Sequence, residues 1–300
     1  MAILDSAIVR LLPAVPRPVV RQVADRYIAG EELEDAVATV ARLNAEGKTA
    51  TIDVLGEEIA RPYEASDIVR AYHDVFEAIR EHELDSNVSV KLTALGLKLG
   101  YKLCRRNLET VVRHAAESGN FVRIDMEDSS TTDDTLRLYR ELRESGLDNV
   151  GVVLQARLRR TLDDIQALAD LRPNVRICKG IYVERWAIAY TDFDEIRASY
   201  VRCLGALLET ASYVGVATHD EFLIDETKRL ASDGYEFQML LGVREPLGDE
   251  LVRQGKRLRI YVPYGRQWYE YSIRRLQENP RIAGYVASDT IGRLFGRNGR

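Results

Sequence analysis

Residues 87–127 read NVSVKLTALGLKLGYKLCRRNLETVVRHAAESGNFVRIDME, and the order of their patterns decides the fold. NVSVKLT (87–93) and FVRIDME (121–127) are β-branched runs in which apolar and polar residues alternate, the mark of strands. Between them, residues 102–118 carry a charged amphipathic pattern that predicts a helix, stopped by Gly119. The same unit recurs along the chain, roughly every 30 residues, the size of one βαβ crossover. TATIDVL precedes it, and VGVVLQA, VRICKGI, YVGVATH, YEFQMLL and RLRIYVP follow, giving eight strand candidates. Helix candidates lie at 66–83, 133–145 and 194–210, with further stops at Gly146 and Gly234. Strands that alternate with helices imply a parallel sheet with right-handed crossovers. Eight units in so short a span fit a closed barrel better than an open sheet. An open doubly wound sheet would be expected to carry GxGxxG after its first strand, and TIDVLGEEIA has no such motif.

The expected architecture is thus α/β, a distorted (β/α)8 barrel, TIM-like, with N-terminal helices and a final helix over the C-terminal mouth. It divides into an N-terminal helical region (1–47), the barrel (48–280) and a C-terminal tail (281–300). Three hundred residues at 46% hydrophobic composition suffice for one large core. The net charge of −5 argues against a nucleic-acid partner. No apolar run approaches the ~18 residues that span a bilayer, and the N-terminus lacks the basic region of a secretory signal. Cys104, Cys178 and Cys203 form no disulfide framework and suit a reducing cytoplasm. Four histidines without HxH or HExxH spacing point away from a metal site.

Strand side chains alternate between faces. Asn87, Ser89, Lys91 and Thr93 form one set, Arg123, Asp125 and Glu127 another, and VGVVLQA ends on Gln155. A barrel interior is ordinarily apolar, so such polar groups are expected at the C-terminal mouth, where barrel chemistry occurs. A Lys91–Asp125 pair that only fixes register is the bland alternative. Arg176 and Lys179 fall on opposite parities and both face inward only if the strand bends near Gly180. His219 closes another strand; a lone histidine there serves packing more often than catalysis. In the last helix, Tyr271, Arg274, Arg275 and Glu278 share one face at helical spacing. Two adjacent guanidinium forks suit a carboxylate or phosphate. They equally suit a solvated pair favoured by the helix macrodipole.

The blocks SVKLTALG, RIDMEDS, VLQA, RICKGIY, VATHD, FQMLLG, RIYVPYG and YSIRRLQEN, in this order, resemble the signature of proline dehydrogenase in its short monofunctional bacterial form. The resemblance covers roughly residues 49–279. It implies oxidation of L-proline to Δ1-pyrroline-5-carboxylate by hydride transfer to flavin N5 of FAD, with electrons passed to a quinone. This is the first step of proline catabolism to glutamate, and a downstream pyrroline-5-carboxylate dehydrogenase would take the product. By motif position Lys91, Arg274 and Arg275 would bind the proline carboxylate. Asp125 would order the site, Tyr261 and Tyr271 would wall the ring, and Glu278 would lock the arginine helix. Around FAD the resemblance implies Met126, Gln155 and Arg176, then Lys179, Gly180 and Ile181, and Thr218 and His219 further out. Ile181 stands where the family usually has Ala. A quinone acceptor implies a cytoplasmic protein that visits the inner face of the membrane, through the amphipathic AILDSAIVRLL at the N-terminus. The rival readings are a Schiff-base aldolase using Lys91 or Lys179 and a barrel without activity.

Overall fold

The computed structural model describes residues 20–21, 24–56, 59–269 and 271–273. Eight parallel strands close into a barrel in sequence order. They are β1 (Thr49–Val54), β2 (Ser86–Val90), β3 (Val122–Ile124), β4 (Val150–Gln155), β5 (Asn174–Cys178), β6 (Tyr213–Ala217), β7 (Tyr235–Leu240) and β8 (Leu258–Tyr264). β8 pairs back onto β1, with Thr51 beside Tyr261 and Asp53 beside Pro263. The main helices among the described residues are α1 (Leu33–Ala45), α2 (Pro62–Glu81), α3 (Tyr101–Glu117), α4 (Thr132–Glu144), α5 (Thr161–Leu168), α6 (Phe193–Thr210), α7 (Glu221–Leu230) and α8 (Glu245–Arg253). All eight expected strands and the four expected helices are present, the helices beginning one to four residues early. The stops after α3 and α4 fall where Gly119 and Gly146 take positive φ, a conformation that costs other residues strain.

One face of each strand supplies the core. Ile52, Val88, Val90, Val122, Ile124, Val152, Val175, Ile177, Val214, Val216, Phe237 and Val262 are all buried against the helices. Each such side chain contributes about 1.5–3 kcal/mol over leaving it in water, so this outer layer is the main source of stability. It also explains why the valine-rich runs read so clearly as strands.

The other face departs from expectation. Polar groups are not confined to the mouth. They run the length of the barrel. Arg123 is buried, donates to the carbonyls of Val152 (3.2 Å) and Asn174 (2.8 Å), and stacks over Phe121 and Tyr213. Arg259 and Glu236 form a buried ion pair at 2.6 Å, and Tyr213 donates to the same carboxylate. Small residues make room for these large ones. A Cβ at Gly151 would stand 2.4 Å from Arg123 Nη1, and one at Gly215 would stand 2.5 Å from Gln238 Nε2. Burial, and then repulsion from Arg176, pull the Arg123 pKa down to about 9, which leaves it charged at neutral pH. A barrel filled this way exchanges apolar packing for hydrogen bonds, each of which must be satisfied.

Candidate active site

The strand ends bring together residues from six strands at the C-terminal mouth. Lys91, just past β2, donates to Asp53 of β1 at 2.8 Å and to the Tyr261 hydroxyl of β8 at 3.1 Å, and lies 3.7 Å from Asp125. Tyr261 in turn donates to Asp125 at 2.9 Å. Arg176 of β5 crosses to meet them, reaching Asp125 at 2.8 Å, Ser89 Oγ at 3.2 Å and Gln238 of β7 at 2.5 Å. Among the described residues two carboxylates and two cations thus interlock, each held in place by at least two partners. Desolvation raises the Tyr261 pKa well above its ordinary value, and Asp125 and Asp53 add to this, so the hydroxyl stays protonated as a donor. Tyr72 of α2 closes the layer beneath, donating to the Ser89 carbonyl at 2.5 Å and lying 3.4 Å from Asp53.

The Schiff-base alternative fits this geometry poorly. An aldolase lysine must be neutral to attack a carbonyl, whereas Lys91 sits between two carboxylates that favour its charged form. Lys179 is also paired. It lies just past the end of β5 at Cys178 and meets Asp220. Arg197 joins them, donating to Asp220 at 2.8 and 2.7 Å.

Burial pushes the Asp220 pKa up, but Arg197 and Lys179 outweigh it and bring it from 3.8 to about 2. A depressed carboxylate contributes stability that is fully present above its unfolded pKa and lost as pH falls through the folded one. Asp220→Asn is therefore expected to flatten the decline in unfolding free energy between pH 3.8 and about 2, as measured by urea titration. Equal slopes for variant and wild type in that window would contradict the assignment.

Beside the charged cluster lies a polar cradle. The Gln155 amide donates to the carbonyls of Met126 (3.1 Å) and Glu127 (3.0 Å), while its Oε1, buried, accepts nothing among the described residues. Gly180 presses close: with φ of 92°, a Cβ there would stand 2.9 Å from Arg157 Cδ and 3.1 Å from Gln155 Cβ. Arg157 spans the turn by donating to the Tyr182 carbonyl at 2.6 Å, and its Nε is a buried donor also without a partner among the described residues. Such unmet groups cost about 1–3 kcal/mol each unless something completes them. Ile181 is half-buried beside this turn. Thr218 is buried and accepts from the Asp220 backbone at 3.1 Å, and the His219 Nε2 accepts from Leu240 N at 3.0 Å. The Met126 side chain belongs to the main core. Tyr271 is buried in a small cluster with Ala24, Ile28 and Leu55, and near enough to Tyr261 to help raise its pKa. Arg274, Arg275 and Glu278 lie outside the described residues. At the opposite end of the barrel a cavity of about 440 Å³ is lined by Asn87, Asn120 and Arg259, remote from this cluster.

Four groups of the site escape a reading by motif alone. Asp53 shares parity with Thr51 inside TATIDVL, and Gln238 sits within FQMLLG, so alternation could have found both. Ser89 belongs to the inward set, but nothing in the sequence says that it meets Arg176. Tyr72 lies on a helix, and its insertion between β1 and β2 leaves no local signal.

A closed parallel barrel with an ion-pair network and unmet hydrogen-bonding groups at its C-terminal mouth defines a (β/α)8 enzyme. The chain belongs to the proline dehydrogenase family, whose model matches residues 36–288. It is 40% identical over 269 residues to proline dehydrogenase 1 of Bacillus subtilis subsp. natto, covering 88% of this chain and 89% of that one. With the proline dehydrogenase of Deinococcus radiodurans it shares 38% identity over 299 residues, 94% of this chain and 96% of the other. Among solved structures, proline utilization A (PutA) from Bdellovibrio bacteriovorus, inactivated by N-propargylglycine, superposes with a TM-score of 0.77 at 27% identity. That match covers 85% of this chain and 32% of the much longer PutA chain.

Proposed function

We propose that this chain oxidises L-proline to Δ1-pyrroline-5-carboxylate with FAD as cofactor and a quinone as electron acceptor. The observation that carries the reading is the Lys91–Asp125–Tyr261–Arg176 network at the mouth of a barrel of this family. FAD suits the cradle beside it. The unmet Gln155 Oε1 can accept from a ring N–H, and the unmet Arg157 Nε can donate to a carbonyl or phosphate. Arg176 spends three of its five N–H donors on the protein, which leaves two for the cofactor or the substrate. When bound, FAD supplies a ring that accepts two electrons as a hydride.

The chain's own residues orient and balance charge. Lys91, with Arg274 and Arg275, would hold the proline carboxylate through charge-assisted bonds. Three cations on one carboxylate fix the ring carbon beside the nitrogen in a single orientation. Tyr261 walls the ring while its hydroxyl stays engaged with Asp125. Tyr271 would close the same wall. Arg176 would stabilise negative charge gained on reduction of the cofactor.

Purified protein is expected to show oxidised-flavin absorbance that proline bleaches. Arg275→Met should need about 100-fold more proline for the same bleaching, through loss of one charged partner of the carboxylate. A colourless protein, or a spectrum indifferent to proline, would overturn the reading. Transient contact with the inner membrane surface through residues 1–15 accompanies the proposal, since a quinone resides in lipid. No described helix is long and apolar enough to cross a membrane. Liposome binding that survives deletion of residues 1–15 would count against the contact.

A further inference from the structure

The polar interior is one bonded chain from the mouth to the far end of the barrel, and Gln238 is its hinge point. The Gln238 Oε1 accepts from Arg176 Nε at 2.5 Å. Its Nε2 donates to the Tyr213 hydroxyl at 3.0 Å and to Glu236 at 3.2 Å. Tyr213 donates to Glu236 at 2.5 Å, and Arg259 donates to it at 2.6 Å.

The direction of this chain is forced. An amide has an accepting end and a donating end, and either can face up or down a barrel. Burial pushes the Glu236 pKa up, but Arg259 and the bonds to it outweigh burial and keep the carboxyl below its ordinary value. An ionised carboxylate only accepts. The Gln238 amide must therefore turn its NH2 towards Glu236, which leaves its oxygen facing Arg176. Gly215 leaves the amide its space, since any Cβ there would stand 2.5 Å from Nε2.

The Arg176 guanidinium is pinned by three strands: Ser89 from β2, Asp125 just past β3 and Gln238 from β7. Two of those bonds take its outer nitrogens. Only Gln238 takes Nε, the atom nearest the stem, and so sets the rotation of the plane about it.

We propose that Gln238 is a positioning residue that, oriented by the Glu236–Arg259 pair and cleared by Gly215, fixes the Arg176 guanidinium and thereby sets the reduction equilibrium of the bound flavin. The inference rests on the reading above in which Arg176 faces the cofactor. It assigns to the deep interior, which would otherwise count as filler, a part in the redox step.

The test compares the FAD-loaded wild type with Gln238→Met, which keeps the length of the side chain and removes both bonds. The expected result is a two-electron reduction about tenfold less favourable, a midpoint roughly 30 mV more negative. The kcat for proline should fall on the order of tenfold while KM stays within about twofold, because the carboxylate contacts are untouched. Gly215→Ala, which leaves Gln238 intact but displaces its amide, should move the midpoint in the same direction. It decides the matter should the methionine variant fail to fold. A midpoint unchanged in whichever of the two folds, or a rise in KM with kcat unaffected, overturns the proposal. The two readings separate cleanly: a wild type without flavin refutes the cofactor assignment, whereas a proline-bleached wild type with unmoved variants refutes only the role of Gln238.

Discussion

Arg176→Met is expected to lower kcat on the order of a thousandfold, with flavin still bound. Removing one preorganised neutral donor to a developing charge costs ~10²–10³; here a full positive charge is lost with it. The guanidinium is held by three strands in a buried site, so none of its stabilisation is spent on reorganisation during the reaction. Arg176→Lys should recover little, because an ammonium cannot reproduce a planar fork that meets Gln238, Asp125 and Ser89 at once. Rapid-mixing measurement of flavin bleaching at saturating proline isolates this step from the quinone reaction. A rate within fivefold of wild type would show that Arg176 serves only to neutralise Asp125.

The second large effect falls on stability. Lys91→Met leaves Asp53, with no solvent exposure, deprived of an ammonium partner 2.8 Å away. Breaking a buried pair from one side costs ~3–5 kcal/mol. The loss should depend on pH. A buried carboxylate that loses its ammonium favours its neutral form more than before, so the loss is felt most where the carboxyl is ionised and least once it is protonated. The deficit measured by urea unfolding is therefore largest near neutrality and shrinks on acidification. Adding Asp53→Asn should restore part of the loss at neutral pH, giving a coupling between the two sites. A deficit under ~1 kcal/mol, far below the cost of an uncompensated buried charge, would mean that water or another cation replaces Lys91.

How much of this was legible beforehand follows from what a linear pattern can carry. The eight strands were legible because their outward faces are almost pure valine, isoleucine and leucine against helices, a signal repeated at every crossover. Lys91, Asp125, Gln155 and Arg176 were legible because each breaks that alternation near a strand end. The depth of the polar filling was not. Arg123, Glu236 and Arg259 share the inward parity, but parity alone does not place charge so deep in an interior that is ordinarily apolar. Their viability depends on Gly151 and Gly215 on neighbouring strands, a volume match that no local window contains. Lys179 was ambiguous for a related reason. Its direction depends on where β5 stops, and hence on Gly180 and Asp220, 41 positions apart in the case of the acid. The family relationship extends to Arg274, Arg275 and Glu278, whose geometry lies outside the described residues.

The glycines at 151 and 215 also bear on how such a protein can change. An apolar core tolerates drift, since one hydrophobe can often replace another of similar volume. The inner wall of this barrel has no such currency. Enlarging Gly151 evicts a charge, and altering Glu236 strands Arg259 and releases Gln238, so most single steps pass through a misfolded or miswired intermediate. Deep mutational scanning should accordingly find the outward valines permissive and the inward positions recoverable chiefly by paired changes. New substrate preferences would then arise in the loops of the mouth, where a residue can be exchanged without unpicking the barrel beneath it.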